Sequence, residues 1–191
     1  MSKHIEMLDV LDENGIRSGE IRTRDDCHKF GLWHRCALLA IVNDDNKILI
    51  QQRSPGNWKF PGSWDLSVAS HVQSGEDSLA TVLRETNEEI GVQIGFRVEV
   101  RDFRFVTSFR NRHTNRKNLG GGAFDDIIEN QFYDLFILRQ NVDIDQVTFN
   151  DAEVSDIKFV DYTELMRLKN AGVLHPRTEW VDEIVRLVNR F

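Results

Sequence analysis

The segment Ser70–Val92, SHVQSGEDSLATVLRETNEEIGV, decides how this chain is read, and its densest part is Arg84-Glu85-Thr86-Asn87-Glu88-Glu89. Wound as a helix of about 3.6 residues per turn, it sets Glu85 one turn from Glu88 and Glu89, so that three carboxylates share a strip. Like charges this close either splay into solvent or are neutralised by a hard cation such as Mg²⁺, which takes oxygen ligands and keeps waters that a phosphate can displace. On the other face, Leu79, Val82, Leu83, Thr86 and Ile90 recur at amphipathic-helix spacing, which predicts a buried side. Ser74 with Asp77 three residues on predicts the helix start, and Gly91 predicts its end. The helix macrodipole disfavours negative charge near its C-terminal end, so something must compensate the strip.

These residues resemble the Nudix box, a family pattern written Gx5Ex7REUxEExGU with U aliphatic. Glu76, Arg84, Glu85, Glu88, Glu89, Gly91 and Val92 all stand where the pattern requires. Ser70 replaces the first glycine and Thr86 the first aliphatic residue. Thr86 keeps a methyl group for the core side. Ser70 loses the freedom with which a glycine lets the backbone approach a metal site.

Length and composition agree with an ordinary globular chain: 191 residues, 40% hydrophobic and 29% charged, with three prolines. The expectation is a single Nudix domain over residues 1–191, with an N-terminal hairpin extension at 1–30, the box at 70–92 and a C-terminal helix at 175–191. A net charge of −7 argues against a nucleic-acid polymer as partner, which needs a basic footprint, while leaving a nucleotide bridged by dications open. Cys27 and Cys36 form no CxxC pair, which suggests neither a disulfide framework nor a zinc knuckle and points to a reducing cytoplasm. Acidic residues through the first thirty positions exclude a signal peptide's apolar core, and the apolar run Cys36–Val42 is far below the ~20 residues of a membrane span. A soluble, cytoplasmic protein is expected.

In chain order, Ile5–Thr23 reads as two strands around an Asn14-Gly15 turn, and Asp25–Gly31 as a polar loop. Cys36–Val42 and Ile48–Arg53 form the clearest hairpin and are expected to be central strands. The loop Ser54–Gly62 carries Trp58 and Phe60, with Trp64 beyond it; packing under the loop is the favoured role for these aromatics over substrate stacking. Asp65–Val68 is a short strand feeding the box. Val92–Arg110 reads as a strand or bent hairpin, Ile127–Leu138 and Asp156–Val160 as strands, Tyr162–Lys169 and Glu179–Phe191 as helices. Pattern alone makes the class α+β. The resemblance sharpens this to a mixed β-sheet sandwiched between helices.

What the resemblance implies is hydrolysis of a diphosphate bond in a nucleoside diphosphate linked to another moiety, with Mg²⁺, or Mn²⁺, as cofactor. Glu85, Glu88 and Glu89 would be the metal carboxylates, Glu88 also being catalytic. Arg84 would make the ion pair that orients Glu76 or a metal glutamate. Glu129 is the best-placed candidate for general base, ahead of Asp125 and Asp126. Arg53 ends a central strand where many relatives carry a phosphate-reaching arginine. Arg110, Arg112, His113, Arg116 and Lys117 form a basic patch before Gly120-Gly121-Gly122, which reads as a loop: a solvated one is slightly favoured over a mobile loop that closes over an anionic substrate.

A second resemblance is to type 1 isopentenyl diphosphate isomerases and their hydrolase cousins. Trp33-His34-Arg35-Cys36-Ala37-Leu38, Pro61-Gly62-Ser63-Trp64 and Ala69-Ser70-His71 carry it. It implies that histidines near His28, His34 and His71 join Glu129 in a metal site, although three histidines without tight spacing are a weak ligand signal. The isomerases need a cysteine where this chain has Ala69 and a second glutamate where it has Gln131. A methyl and an amide cannot shuttle protons to and from carbon, so a hydrolase is favoured over an isomerase, and retention of Glu85, Glu88 and Glu89 favours it over an idle nucleotide-binding module. Arg53, His71 and Arg110 are the candidate substrate contacts. A homodimer through the N-terminal hairpin edge is left open.

Overall fold

The computed structural model describes residues 5–57, 59–90, 100–120, 123–147 and 153–188. Gly91, Val92, Trp58, Gly121 and Gly122 lie outside these residues, as do the side chains of Glu89 and Ile90. The class is α+β. A two-stranded sheet, β1 (Met7–Leu11) and β2 (Arg17–Thr23), precedes a mixed seven-stranded sheet. The larger sheet contains β3 (His34–Val42), β4 (Ile48–Arg53), β5 (Trp64–Leu66), β6 (Val68–His71), β7 (Phe103–Gly120), β8 (Ala123–Arg139) and β9 (Val154–Val160). Its order is β5-β4-β3-β8-β7, with β6 on β3 and β9 on β4, so the expected central hairpin is central. The helices are α1 (Arg24–Phe30), α2 (Ser78–Glu85), α3 (Tyr162–Asn170) and α4 (Glu179–Val188).

The chain divides into two compact units, residues 1–37, 70–81 and 108–134 in the first and the remainder in the second. In the first, the β1–β2 turn is built by Asp12, whose Oδ1 accepts from the backbone N–H of Asn14 at 2.8 Å and of Ile16 at 2.9 Å. Those donors, Ile16 foremost, hold the Asp12 carboxyl below its usual range. Of the expected Asn-Gly pair only Gly15 has a positive φ, 81°. Along β1 the register passes from Asp9 opposite Ile21 to Leu11 opposite Arg17, so β2 bulges around Gly19, φ 88°. A bulge of this kind twists an edge strand away from regular pairing with another chain.

Residues Asp25–Gly31 are not a loop. Thr23 Oγ1 accepts from Asp26 N at 3.1 Å, Asp25 and Asp26 occupy the first turn, and Gly31 ends α1 in the left-handed region at φ 63°. One face of this short helix puts Cys27 into a core cluster with Leu8 and Val10, against Leu32. Burial pushes the Cys27 thiol up to about 11, which makes it unreactive.

The box helix starts later than the sequence suggests. Asp77 caps it, its Oδ1 accepting from Ala80 N at 2.8 Å, while Ser74 Oγ donates instead to Asp9 Oδ1 at 2.8 Å. Nor does the helix keep one period: Thr86–Ile90 is π-helical. Thr86 Oγ1 donates to Val82 O at 2.5 Å and Asn87 Nδ2 to Leu83 O at 3.1 Å, so side chains bind the carbonyls of the preceding turn and the turn widens. The buried positions are Ser78, Thr81, Val82 and Thr86, a more polar face than the aliphatic stripe predicted.

The basic stretch Arg110–Lys117 is strand, not loop, because β7 runs through it and pairs with β8. Its three arginines have partners: Arg110 donates to Glu13 O, Arg112 lies over the Trp33 ring at 5.0 Å, and Arg116 pairs with Asp126 at 3.1 Å. In the second unit, the buried side chains include Leu38, Leu39, Ile41, Leu49, Ile50, Leu66, Leu135, Leu138 and Leu165, with Trp180 and Ile184 from α4. No helix among the described residues is long and apolar enough to cross a membrane.

Candidate functional site

The carboxylate strip survives the change of helical period through Arg84. Its Nη1 donates to Glu85 Oε1 at 2.6 Å and to Glu88 Oε2 at 3.0 Å, so one cation gathers two acids. Glu85 is largely covered, its side chain 12% exposed, whereas Glu88 is 58% exposed. The expected link from Arg84 is therefore to the two later glutamates. Glu76 accepts from Thr81 Oγ1 at 2.8 Å, tying the loop before α2 to its first turn.

That first turn is anchored within the first unit. Arg35 Nη1 reaches both oxygens of Asp134, at 2.9 and 3.0 Å, and its Nη2 donates to Gly15 O. Ser78 Oγ donates to the same Asp134 carboxylate at 2.6 Å. One buried-edge carboxylate thus fastens β3, β8, α2 and the hairpin turn.

The structure also brings together what the sequence leaves scattered. The rings of His28, His34 and His71 stand at 5.2 Å from one another, and one ring nitrogen of each lies within 4.8 Å of the others. They come from α1, β3 and β6, and β8 adds Gln131, whose Nε2 is 3.0 Å from His34 Nε2 and 3.1 Å from His71 Nε2. Tyr133 donates its hydroxyl to Gln131 Oε1. Two residues before Gln131 on the strand, Glu129 is 6% exposed, and its Oε2 accepts from Asn115 Nδ2 at 2.8 Å. Asn115 Oδ1 meets His113 Nε2 at 2.9 Å, so β7 supplies a directed chain of donors to the Glu129 carboxylate. Asn115 and Tyr133 were invisible as site residues in the sequence, since their positions matter only after β7 and β8 pair.

In the second unit, Arg53 closes β4 as expected, with its Nε donating to Lys59 O at 3.1 Å. Beyond it lies a group no sequence signal announced. Asp65, 1% exposed, receives Arg177 Nη2 at 2.7 Å. Burial alone would push its carboxyl up, but Arg177, His175 and the Leu66 N–H together outweigh it and hold it below the usual range. His175 accepts from Arg177 N at its Nδ1, at 3.2 Å, and Phe60 meets it edge-on at 4.6 Å. Burial pulls the His175 imidazole down to about 3, so the ring is neutral. Phe60 and Trp64 take packing roles: Trp64 is 9% exposed under Lys158, whose ammonium is 4.4 Å from its ring.

The NUDIX domain model matches residues 32–181. Among similar proteins, Nudix hydrolase 3 of Arabidopsis thaliana is 32% identical over 83% of this chain, which spans only 20% of that longer protein. An uncharacterised Nudix hydrolase of Listeria monocytogenes is 28% identical over 90% of this chain and 89% of its own length. An isopentenyl-diphosphate Delta-isomerase of Cereibacter sphaeroides is 29% identical over 74% of this chain and 71% of its own. A crystal structure of a Deinococcus radiodurans protein shares the fold at a TM-score of 0.67 and 24% identity, covering 97% of this chain and 98% of that one. The domain model covers most of the chain, which therefore belongs to the Nudix family of hydrolases acting on diphosphate bonds, and its relatives include isopentenyl-diphosphate isomerases.

Proposed function

We propose that this single-domain protein is a Mg²⁺-dependent hydrolase of a small diphosphate, a nucleotide being the first candidate, with Mn²⁺ able to replace Mg²⁺. The observation that carries this reading is the pair of carboxylates, Glu85 and Glu88, drawn onto one Arg84 nitrogen. Acids already gathered around a positive group, with hard oxygen donors and one of them open to solvent, fit an oxygen-preferring dication. Glu85, Glu88 and Glu89 are the proposed metal ligands. When bound, Mg²⁺ screens the phosphate charge and lowers the pKa of water.

The chain's own residues do the rest. Arg84 fixes the rotamers of Glu85 and Glu88 and offsets their repulsion. Glu129 is the proposed general base that takes the proton from the attacking water; the Asn115 N–H on its Oε2 orients it. Arg53 and Arg110 are the proposed substrate contacts, while His71, expected beside them, has its Nε2 engaged by Gln131 at 3.1 Å. Glu76 is the further proposed site position from the box, tied to α2 by its bond from Thr81. A reducing compartment suits Cys27 and Cys36, both buried free thiols, and the cytoplasm is the proposed location.

An isomerase-like reading is favoured by one observation, the convergence of His28, His34 and His71. It is opposed by Ala69 and Gln131, which supply no proton where carbon chemistry needs two exchangeable groups. The test is a screen of nucleoside diphosphates and triphosphates, sugar nucleotides, dinucleotides and prenyl diphosphates with Mg²⁺ or Mn²⁺, read by product mass. Products that together gain one water support the hydrolase. A product of unchanged mass supports the isomerase, and binding without turnover supports an idle binding module.

A further inference from the structure

The hydrogen bonds around Gln131 have one consistent assignment. His34 Nδ1 lies 2.9 Å from the carbonyl oxygen of Leu32, an atom that can only accept, so Nδ1 carries the proton. The neutral ring then offers a lone pair at Nε2, and Gln131 Nε2 must donate to it across 3.0 Å. The second proton of the same amide nitrogen goes to His71 Nε2 at 3.1 Å, while His71 Nδ1 faces Glu6 Oε1 at 3.6 Å. Tyr133 donates to Gln131 Oε1 and so holds the carbonyl end away from the histidines. Flipping the amide would require His34, 0% exposed, to carry protons on both nitrogens, a buried charge.

We propose that Gln131 is a cation surrogate: its NH₂ group takes the inward lone pairs of His34 and His71 that a metal ion would need, making the histidine cluster a metal-free structural node. This departs from the histidine metal site that the isomerase resemblance implies. An amide N–H and a dication compete for the same two nitrogens. Loading a metal would break both N–H···N bonds and, if the carbonyl turned inward to act as ligand, the Tyr133 bond too. A glutamate at this position has no N–H to donate when ionised and offers oxygen ligands instead, so Gln131→Glu reverses the sign of the interaction at nearly constant shape. Gln131→Met removes the donors without adding an oxygen ligand.

The test is titration of the full chain with Co²⁺ in excess Mg²⁺, read by visible d–d absorption, which is stronger for histidine-bound Co²⁺ in low coordination than for the aquo ion. Wild type is expected to give no histidine-dependent band. Q131E is expected to bind Co²⁺ about 100-fold more tightly, on the scale by which groups around a site alter metal affinity. Q131M is expected to gain affinity by a smaller factor, and Q131E/H34A to lose what Q131E gained. A wild-type band abolished by H34A would overturn the proposal, as would Q131E or Q131M binding no better than wild type. ¹⁵N spectra of the wild-type histidines test it without any substitution: unprotonated Nε2 on His34 and His71 is expected, and protonated Nε2 would overturn it. The outcome is independent of the carboxylate reading, since E88Q should leave both the Co²⁺ and the ¹⁵N results unchanged.

Discussion

The carboxylate strip and the histidine cluster are both sets of metal-type ligands, and they are built in opposite ways. Glu85, Arg84 and Glu88 are neighbours in sequence, ionic, and open to solvent at Glu88. His28, His34, His71 and Gln131 are gathered from four elements, His34 and His71 are uncharged in the assigned tautomers, and the centre is covered, with His34 at 0% and Gln131 at 3% exposure. An exposed charged group can exchange partners at little cost, which suits a site that must take up ions and substrate. A buried amide that ties two imidazoles together through directed hydrogen bonds suits a node that fixes strands. The difference teaches that ligand-type residues in one place do not by themselves make a metal site; their existing partners decide.

Four substitutions and one titration test that contrast, in descending size of effect. E88Q should lower turnover on the order of 10³-fold, the scale of losing a metal-held phosphate charge, with far-UV circular dichroism unchanged. Unimpaired release of product by E88Q would remove the strip from the chemistry. D65A should destabilise by about 3 kcal/mol in chemical denaturation, because it removes the buried carboxylate that the largely covered Arg177 guanidinium meets at 2.7 Å. E129Q should reduce kcat about 10²-fold while moving KM little, as expected for a general base; a rise in KM alone would make Glu129 a binding group. H34A should cost about 2 kcal/mol of stability through the orphaned Gln131 and Leu32 groups, with turnover of the folded protein nearly unchanged. If H34A instead abolished turnover in a folded protein, the contrast between the two clusters would fail.

The smallest effect is on pH. His175 has a folded value near 3 against an ordinary 6.5, so between these limits the unfolded chain binds the proton that the folded chain refuses. Stability therefore falls as pH drops from about 6.5 toward 3, by at most about 1.4 kcal/mol per pH unit from this residue. Asp65, held low in the folded state, adds a loss in the same direction only below its ordinary value of 3.8. Denaturation midpoints measured from pH 7 to 4 should slope less in H175Q than in wild type; equal slopes would assign the effect elsewhere.

The strands were legible wherever a single local rule governed them. The Cys36–Val42 and Ile48–Arg53 hairpin, the β-rich run in β8 and the C-terminal helix all follow from apolar spacing. Helix α1 was misread because its polar composition outweighed its markers, yet Thr23, Asp25, Asp26 and Gly31 were cap and dipole signals in plain order. The basic run in β7 was misread for a different reason. Its arginines look unmatched until Glu13, Trp33 and Asp126 are brought beside them by pairing at long range.

What the sequence determined by itself was the family and the local grouping of acids around Arg84, because the box is a set of fixed offsets along one segment and helical geometry converts offsets into neighbours. The tertiary structure decided where α2 gives way to a π turn, through two side chains that bind the preceding carbonyls. It also decided the fate of the histidines. Whether three imidazoles bind a metal or an amide depends on which atoms the folded strands place between them, and no spacing along the chain encodes that.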